Sequence, residues 1–195
     1  MGLVASTGMT PDSVTVTGGA TQYWASASET SDKWHNINDG IPYDNEQSYA
    51  GRNSNKVYHN AALAFKTGSF TGKGKHISVE FSIQAYTPNL SDATFNYACQ
   101  LSKHNWSTAA EWMAGSKTYY STSLTFLPSD PNAVARATGT ISKNTSRQTV
   151  TVSFDAEILP DTEYVVYLIE TSGTAGKVLT IDRTADYPMT ITVTE

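Results

Sequence analysis

Residues 77–83 read Ile77-Ser78-Val79-Glu80-Phe81-Ser82-Ile83, a strict alternation of apolar and polar side chains. Successive side chains of a β-strand point to opposite faces, so this order places one face in a core and the other in solvent. Residues 150–154 and 189–193 alternate in the same way. The pattern predicts amphipathic strands that cover a hydrophobic core from one side.

A second kind of segment is apolar on both faces. Residues 164–169 read Tyr164-Val165-Val166-Tyr167-Leu168-Ile169, which is typical of a central strand that is covered on both sides. Residues rich in Val, Ile, Thr and Tyr predict further strands at 14–17, 61–65, 95–101 and 178–181. The whole chain is therefore predicted to be all-β, as an antiparallel β-sandwich of the jelly-roll type.

Glycine, proline and small polar residues mark the predicted turns between these strands. They cluster at residues 17–20, 68–75, 138–140, 159–162 and 172–176. At most one short helix is expected, near residues 107–114, because Ser107 is a suitable N-cap and Gly115 a suitable stop. Residues 1–13 lack periodicity and are expected to form a flexible N-terminal arm, with residues 14–195 forming a single β-sandwich domain.

Composition and charge restrict the function. The 195 residues carry 13 Lys and Arg against 18 Asp and Glu, for a net charge of −5. This acidity argues against nucleic-acid binding, which needs clustered cations. No apolar run reaches the roughly 20 residues of a membrane helix, so no membrane insertion is expected.

The sequence also offers no recognisable catalytic or zinc motif. The four His residues are scattered. The single cysteine, Cys99, alternates with Tyr97 and Leu101 and is predicted to be a buried thiol. Two carboxylates of a glycoside hydrolase can still meet in space without any sequence spacing that shows it, so a glycan hydrolase is kept as an alternative.

Aromatic residues among Ser, Asn and Asp give the chain its candidate binding site. Aromatic rings stack on the apolar faces of sugars, while amides and carboxylates bond to their hydroxyl groups. For Trp24 and Trp34 a core or plug role is the alternative, and for the cluster around Trp106 it is a minor core under a long loop. The candidate glycan-binding residues are Trp24, Trp34, Tyr43, Tyr49, Tyr58 and Trp106.

Several short segments carry a resemblance to a known family. They are Ala25-Ser26-Ala27-Ser28, Asn36-Ile37-Asn38-Asp39-Gly40, His76 to Phe81, and Leu159 to Tyr164. These resemble galactose-binding-like jelly rolls, of the discoidin or carbohydrate-binding-module type, as found in bacteriophage tail and minor structural proteins. The resemblance implies a structural calcium ion held by Asp39, with Asp44 as a second ligand. An Asx turn at Asp39-Gly40 is the alternative.

The predicted function follows from a contrast between the composition of the chain and its expected site of synthesis. The start of the chain, Met1 to Ser6, shows no export signal, which predicts synthesis in a host cytoplasm. The Ser-, Thr- and Tyr-rich composition is nevertheless that of an adhesion module. We therefore expect a non-catalytic bacteriophage virion protein, a tail or capsid-decoration subunit exposed after lysis. Its expected partners are other virion subunits, further copies of itself and host surface polysaccharide. A stand-alone carbohydrate-binding module is the alternative.

Overall fold

All the regular secondary structure in the part of the chain that the structure describes is β-strand. A computed structural model describes residues 12–16, 23–28, 35–36, 48–52, 58–86, 94–103, 131–172, 174–182 and 187–195. The strands are β1 (Asp12–Val16), β2 (Tyr23–Ser28), β3 (His35–Asn36), β4 (Ser48–Arg52), β5 (Tyr58–Lys66), β6 (Gly74–Tyr86), β7 (Thr94–Ser102), β8 (Ala133–Ser142), β9 (Asn144–Ile158), β10 (Glu163–Glu170), β11 (Lys177–Ile181) and β12 (Met189–Thr194).

The strands form two antiparallel sheets, which confirms the predicted β-sandwich. Sheet one has the order β3-β2-β5-β10-β7-β8. Sheet two places β6 between β9 on one edge and β12 on the other, and β1 pairs with β12 outside it. The strands predicted from alternation, at 77–83, 150–154 and 189–193, all lie in sheet two.

One hydrophobic core fills the space between the sheets. Sheet one contributes residues such as Leu63, Phe65 and Leu168, and sheet two contributes Phe81 and Phe154. Each of these side chains is at most 2% exposed, so each contributes about 1.5–3 kcal/mol by leaving water. The central strand β10 is buried on both faces, as its apolar run predicted.

Gly51 joins the two sheets. Its Cα is paired with Val178 of β11 in sheet two and with His59 of β5 in sheet one. The backbone has φ +127° at this position, and a Cβ would overlap the carbonyl oxygen of Lys177. Glycine is therefore required here both for its backbone angle and for the close approach of a neighbouring strand.

Strands β11 and β12 share one edge of β6. Strand β11 pairs with Ile83 to Tyr86, and β12 pairs with His76 to Glu80. The two strands are thus successive parts of one edge, separated by residues 182–188. The N–H of Asp182, one residue beyond the end of β11, still donates to the carbonyl oxygen of Ser82, at 3.1 Å.

The predicted turn at residues 138–140 is wrong. Residues 133–142 form the continuous strand β8, in which Gly139 lies opposite Tyr97 of β7. A Cβ on Gly139 would lie 2.8 Å from Cε1 of Tyr97, so the glycine makes room for this ring. Cross-strand aromatic cover of this kind allows glycine within a strand.

Other predictions concern residues that lie wholly or partly outside the described ranges. The possible helix at 107–114 and residues 1–11 of the predicted arm lie outside them, whereas Asp12 and Ser13 belong to β1. The single-domain division stays a prediction. No helix in the described ranges is long and apolar enough to cross a membrane.

Cys99 is buried in the core, as predicted, and provides a test of the fold at alkaline pH. Burial raises the pKa of its thiol, because the charged thiolate is disfavoured in apolar surroundings. An unfolded thiol ionises above about pH 8.5 while the folded one stays protonated, so stability falls as the pH rises. Between pH 7 and about 9.5 we expect wild type to lose about 1.4 kcal/mol more than Cys99→Ala in urea unfolding. Equal losses would contradict the burial of this thiol. Burial also raises the pKa values of Tyr97 and Tyr164, which lowers the stability of both proteins; the part of the Tyr97 shift that comes from the Cys99 charge is present in wild type alone.

Candidate functional site

The face of sheet one that points away from the core carries buried polar groups. In β7 the core side holds Phe95, Cys99 and Leu101, and the opposite side holds Gln100 and Ser102. Both of these polar side chains are 0% exposed. Burying a polar group without a partner costs about 1–3 kcal/mol, so their placement here needs a reason.

A hydrogen-bonded chain holds these groups in place. Arg136 Nε of β8 donates to Gln100 Oε1 at 3.0 Å, and Gln100 Nε2 donates to Ser102 Oγ at 3.2 Å. The two bonds fix which end of the Gln100 amide faces each neighbour. The position of the Arg136 guanidinium is therefore set by a buried amide that is itself anchored.

The strand register extends this arrangement into a row across sheet one. Arg136 is paired with Gln100, Gln100 with Tyr167, and Tyr167 with Ala62. The backbone pairing continues through Ala25 of β2 to Asn36 of β3. Neighbouring strands lie about 4.8 Å apart, so the row crosses six strands almost at right angles to them.

The row is buried in its centre and exposed at β8. Tyr167, like Gln100, is 0% exposed. Arg136, Thr138 and Thr140 are exposed, and they lie at alternate positions of β8, on one face. Asn96, opposite Thr140 on β7, is exposed as well. This edge presents a guanidinium, an amide and two hydroxyl groups to solvent, which together can donate and accept hydrogen bonds.

Most of the predicted site residues lie outside the described residues. This holds for Trp34, Tyr43, Trp106, Asp39 and Asp44. For Trp24 in β2 and Tyr58 in β5 the backbone is described, and Trp24 is paired with Leu63. Tyr49 is half-buried in β4 and is paired with Thr180 of β11, so it belongs to sheet two and not to the row. The predicted role of these aromatic residues stays a prediction.

Sequence reasoning missed the residues of the row. Gln100 and Ser102 read as the solvent side of an alternating strand, and Tyr167 is hidden in an apolar run. One signal was available: β10 was predicted to be covered on both sides, and this implies that the same face of its neighbour β7 is covered as well.

A second polar cluster brings together a Ser, a His and an Asp on sheet two. His76 Nδ1 lies 2.7 Å from Asp155 Oδ1, and His76 Nε2 lies 3.1 Å from Ser78 Oγ. The order matches the catalytic triad of hydrolases, which is recognised by geometry. The side chain of Asp155 is however 92% exposed. The backbone of β6 pairs with strands on both edges here, so it offers no oxyanion donor. We assign this cluster a structural role.

The predicted calcium site is not tested by the geometry. Among the described residues, no group of three or more His, Cys, Asp or Glu side chains is placed to hold a metal ion. Asp39 and Asp44 are not among those residues.

Comparison with known proteins shows a likeness of fold. No protein-family model matches the chain, and no curated protein matches it. Among solved structures, the xylan-binding module CBM15 is 12% identical over 94% of this chain and 97% of that one, with a TM-score of 0.42. The CBM22-1 xylan-binding domain of Xyn10C from Paenibacillus barcinonensis is 10% identical over 98% and 99%, with a TM-score of 0.40.

Other likenesses involve only part of a larger protein. An arabinose-bound α-L-arabinofuranosidase matches 72% of this chain at 11% identity and a TM-score of 0.33, and the chain spans 20% of that enzyme. At such identities the likeness concerns the fold, so ligand and function have to be argued from the residues of this chain.

Proposed function

We propose that this chain is a non-catalytic carbohydrate-binding module and that its ligand lies along the β7–β8 edge of sheet one. Arg136, Thr138, Thr140 and Asn96 are the proposed contacts with sugar hydroxyl groups. Gln100 is a positioning residue, because it is buried and holds the Arg136 guanidinium at 3.0 Å. This bond is the observation on which the proposal rests.

The physical reason lies in preorganisation. A long arginine side chain on a sheet surface loses rotamer freedom when it binds a ligand, at a cost of about 0.5–1.5 kcal/mol. A buried amide that already fixes the guanidinium has removed part of that cost before the ligand arrives. A purely structural surface arginine has no need of a buried polar partner, since water would serve it equally well.

Predictions about context remain separate from this proposal. The virion role, the tail or capsid location and the assembly with further copies of the chain stay predictions. The structural calcium ion is likewise still a prediction. Carbohydrate binding by itself does not require any of them.

Titration calorimetry with neutral β-linked hexasaccharides tests the proposal. We expect saturable binding of cellohexaose, xylohexaose or both, and at least a tenfold weaker association for Arg136→Ala. That loss corresponds to about 1.5–3 kcal/mol for hydrogen bonds from a charged group. Lys103→Ala is the matched control, since it removes an exposed cation just beyond the end of β7.

Two results would count against the proposal. One is a lack of binding to soluble oligosaccharides and to insoluble cellulose and xylan alike. The other is unchanged affinity in Arg136→Ala while its thermal unfolding matches wild type.

A further inference from the structure

A cleft on sheet two lies where β11 and β12 part. Its volume is about 460 Å³, and its lining includes Glu80, Arg147, Gln148, Thr149 and Tyr187. Ligand sites are typically concave, with volumes of about 300–1,000 Å³. The cleft faces away from the core on the sheet opposite to the proposed glycan edge, so the two sites are separate.

Asp182 lies behind the cleft and anchors two residues that line it, Arg147 and Ser82. Arg147 Nε donates to Asp182 Oδ2 at 2.6 Å, and Arg147 Nη2 donates to Asp182 Oδ1 at 3.2 Å. Ser82 Oγ donates to the same carboxylate at 2.6 Å. The side chain of Asp182 is 2% exposed and that of Arg147 is 38% exposed. A buried carboxylate thus holds a partly exposed guanidinium in a bidentate pair, which sets its plane.

The guanidinium in turn fixes an aromatic ring. Arg147 Cζ lies 3.7 Å from the centroid of the Tyr187 ring, a close cation–π contact. Tyr187 is half-buried, and Pro188 beside it is exposed. The cleft therefore has a rigid wall of ring and guanidinium next to groups that donate and accept hydrogen bonds, the hydroxyl of Thr149 and the carboxylate of Glu80.

Charge selects the class of ligand. Among the described residues, the charge of Arg147 is compensated by its bidentate pair with the buried Asp182, which leaves the exposed carboxylate of Glu80 as the negative charge on the cleft lining. Anions such as phosphates or uronic acids would meet a net negative site and are disfavoured. A neutral polyhydroxyl compound can use donors, acceptors and the aromatic wall together.

We propose that this cleft is a second saccharide site, which binds a neutral sugar and discriminates against acidic ones. The site depends on the break between β11 and β12 along the shared edge of β6, because Asp182 follows β11 and Tyr187 precedes β12. It does not require that the β7–β8 edge binds a ligand.

Amide NMR titration of Arg136→Ala, which disables the other site, tests this inference. With cellohexaose or xylohexaose we expect saturable shifts at Gln148, Thr149 and Tyr187, and with hexagalacturonate markedly weaker ones. Tyr187→Ala should abolish the shifts at Gln148 and Thr149, and Tyr187→Phe should retain them.

Charge variants provide the second readout. Glu80→Gln is expected to strengthen hexagalacturonate binding about threefold, the effect of one exposed charge at short range. Glu157→Gln is the matched control, since it removes an exposed acid of β9 that pairs with Lys73 at 2.9 Å outside the cleft.

The inference is overturned if neither neutral probe shifts these amides at a probe concentration of about 10 mM. That concentration is ten times a dissociation constant of about 1 mM, so even a weak site would be mostly occupied. It is also overturned if hexagalacturonate binds as well as the neutral probes. Shifts confined to Gln100 and Arg136 in wild type would support the proposed function and remove the second site. Shifts confined to the amides of the cleft would support the second site and contradict ligand binding at the β7–β8 edge.

Discussion

Gly51→Ala is expected to lower the free energy of unfolding by about 4 kcal/mol, the sum of backbone strain and overpacking. The φ of +127° is one that side chains rarely adopt. The added Cβ would also overlap the carbonyl oxygen of Lys177 and lie 3.1 Å from Cα of Val178. Both neighbours are backbone atoms of β11, so neither can move aside as a side chain tip would. Relief requires that β4 and β11 separate.

Gly72→Ala is the matched control for this effect. Gly72 also has a positive φ, of +85°, but a Cβ there would meet nothing within 4 Å. The expected cost is therefore the backbone strain alone, about 1–2 kcal/mol. Urea unfolding of both variants measures the difference. Equal losses would show that the close approach of β11 does not constrain position 51.

Asp182→Ala is expected to lower the free energy of unfolding by about 2–3 kcal/mol. The substitution removes the acceptor for Ser82 and for both donors of Arg147. Loss of one partner from a fully buried ion pair costs about 3–5 kcal/mol. The value here is lower, because the Arg147 side chain is 38% exposed and regains water.

Asp155→Ala is the control that shows whether the loss of stability in Asp182→Ala comes from the burial of the carboxylate or from the presence of a paired carboxylate alone. Asp155 also has a basic partner, His76 Nδ1, at 2.7 Å, but its side chain is 92% exposed. Exposed pairs contribute about 0–1 kcal/mol, so this variant should unfold close to wild type. Thermal and urea unfolding of the two variants gives the comparison. A loss for Asp155→Ala as large as that for Asp182→Ala would contradict the role of burial.

Alternation and apolar runs predicted most of the strands because each strand has at least one face in the core. Strand β8 escaped prediction for a physical reason. It lies at the edge of sheet one, most of its side chains are exposed or half-buried, and it contains Gly139. Gly139 lies opposite Tyr97 of β7, about 40 positions earlier in the sequence, and no local pattern within β8 can show that contact.

The candidate sites were harder to predict than the fold. Composition predicted a sugar-binding surface that includes Trp24, Trp34 and Trp106, and the role of these aromatic residues stays a prediction. The polar groups that the structure brings together come from distant strands: Arg136 and Gln100 meet across β7 and β8, and Arg147 reaches Asp182 across β6. Local patterns cannot show such pairs, because the pairing depends on strand order and register.

The pairing of β1 with β12 has a mechanical consequence. Asp12 lies opposite Val193, and Val16 lies opposite Met189, so the outer ends of both strands are at the same end of their ladder. A pulling force applied at residues 12 and 193 would load the interstrand hydrogen bonds one after another, because they run perpendicular to the strands. This ladder would unzip from that end under a low load, before the sheets that carry the proposed binding sites are disturbed.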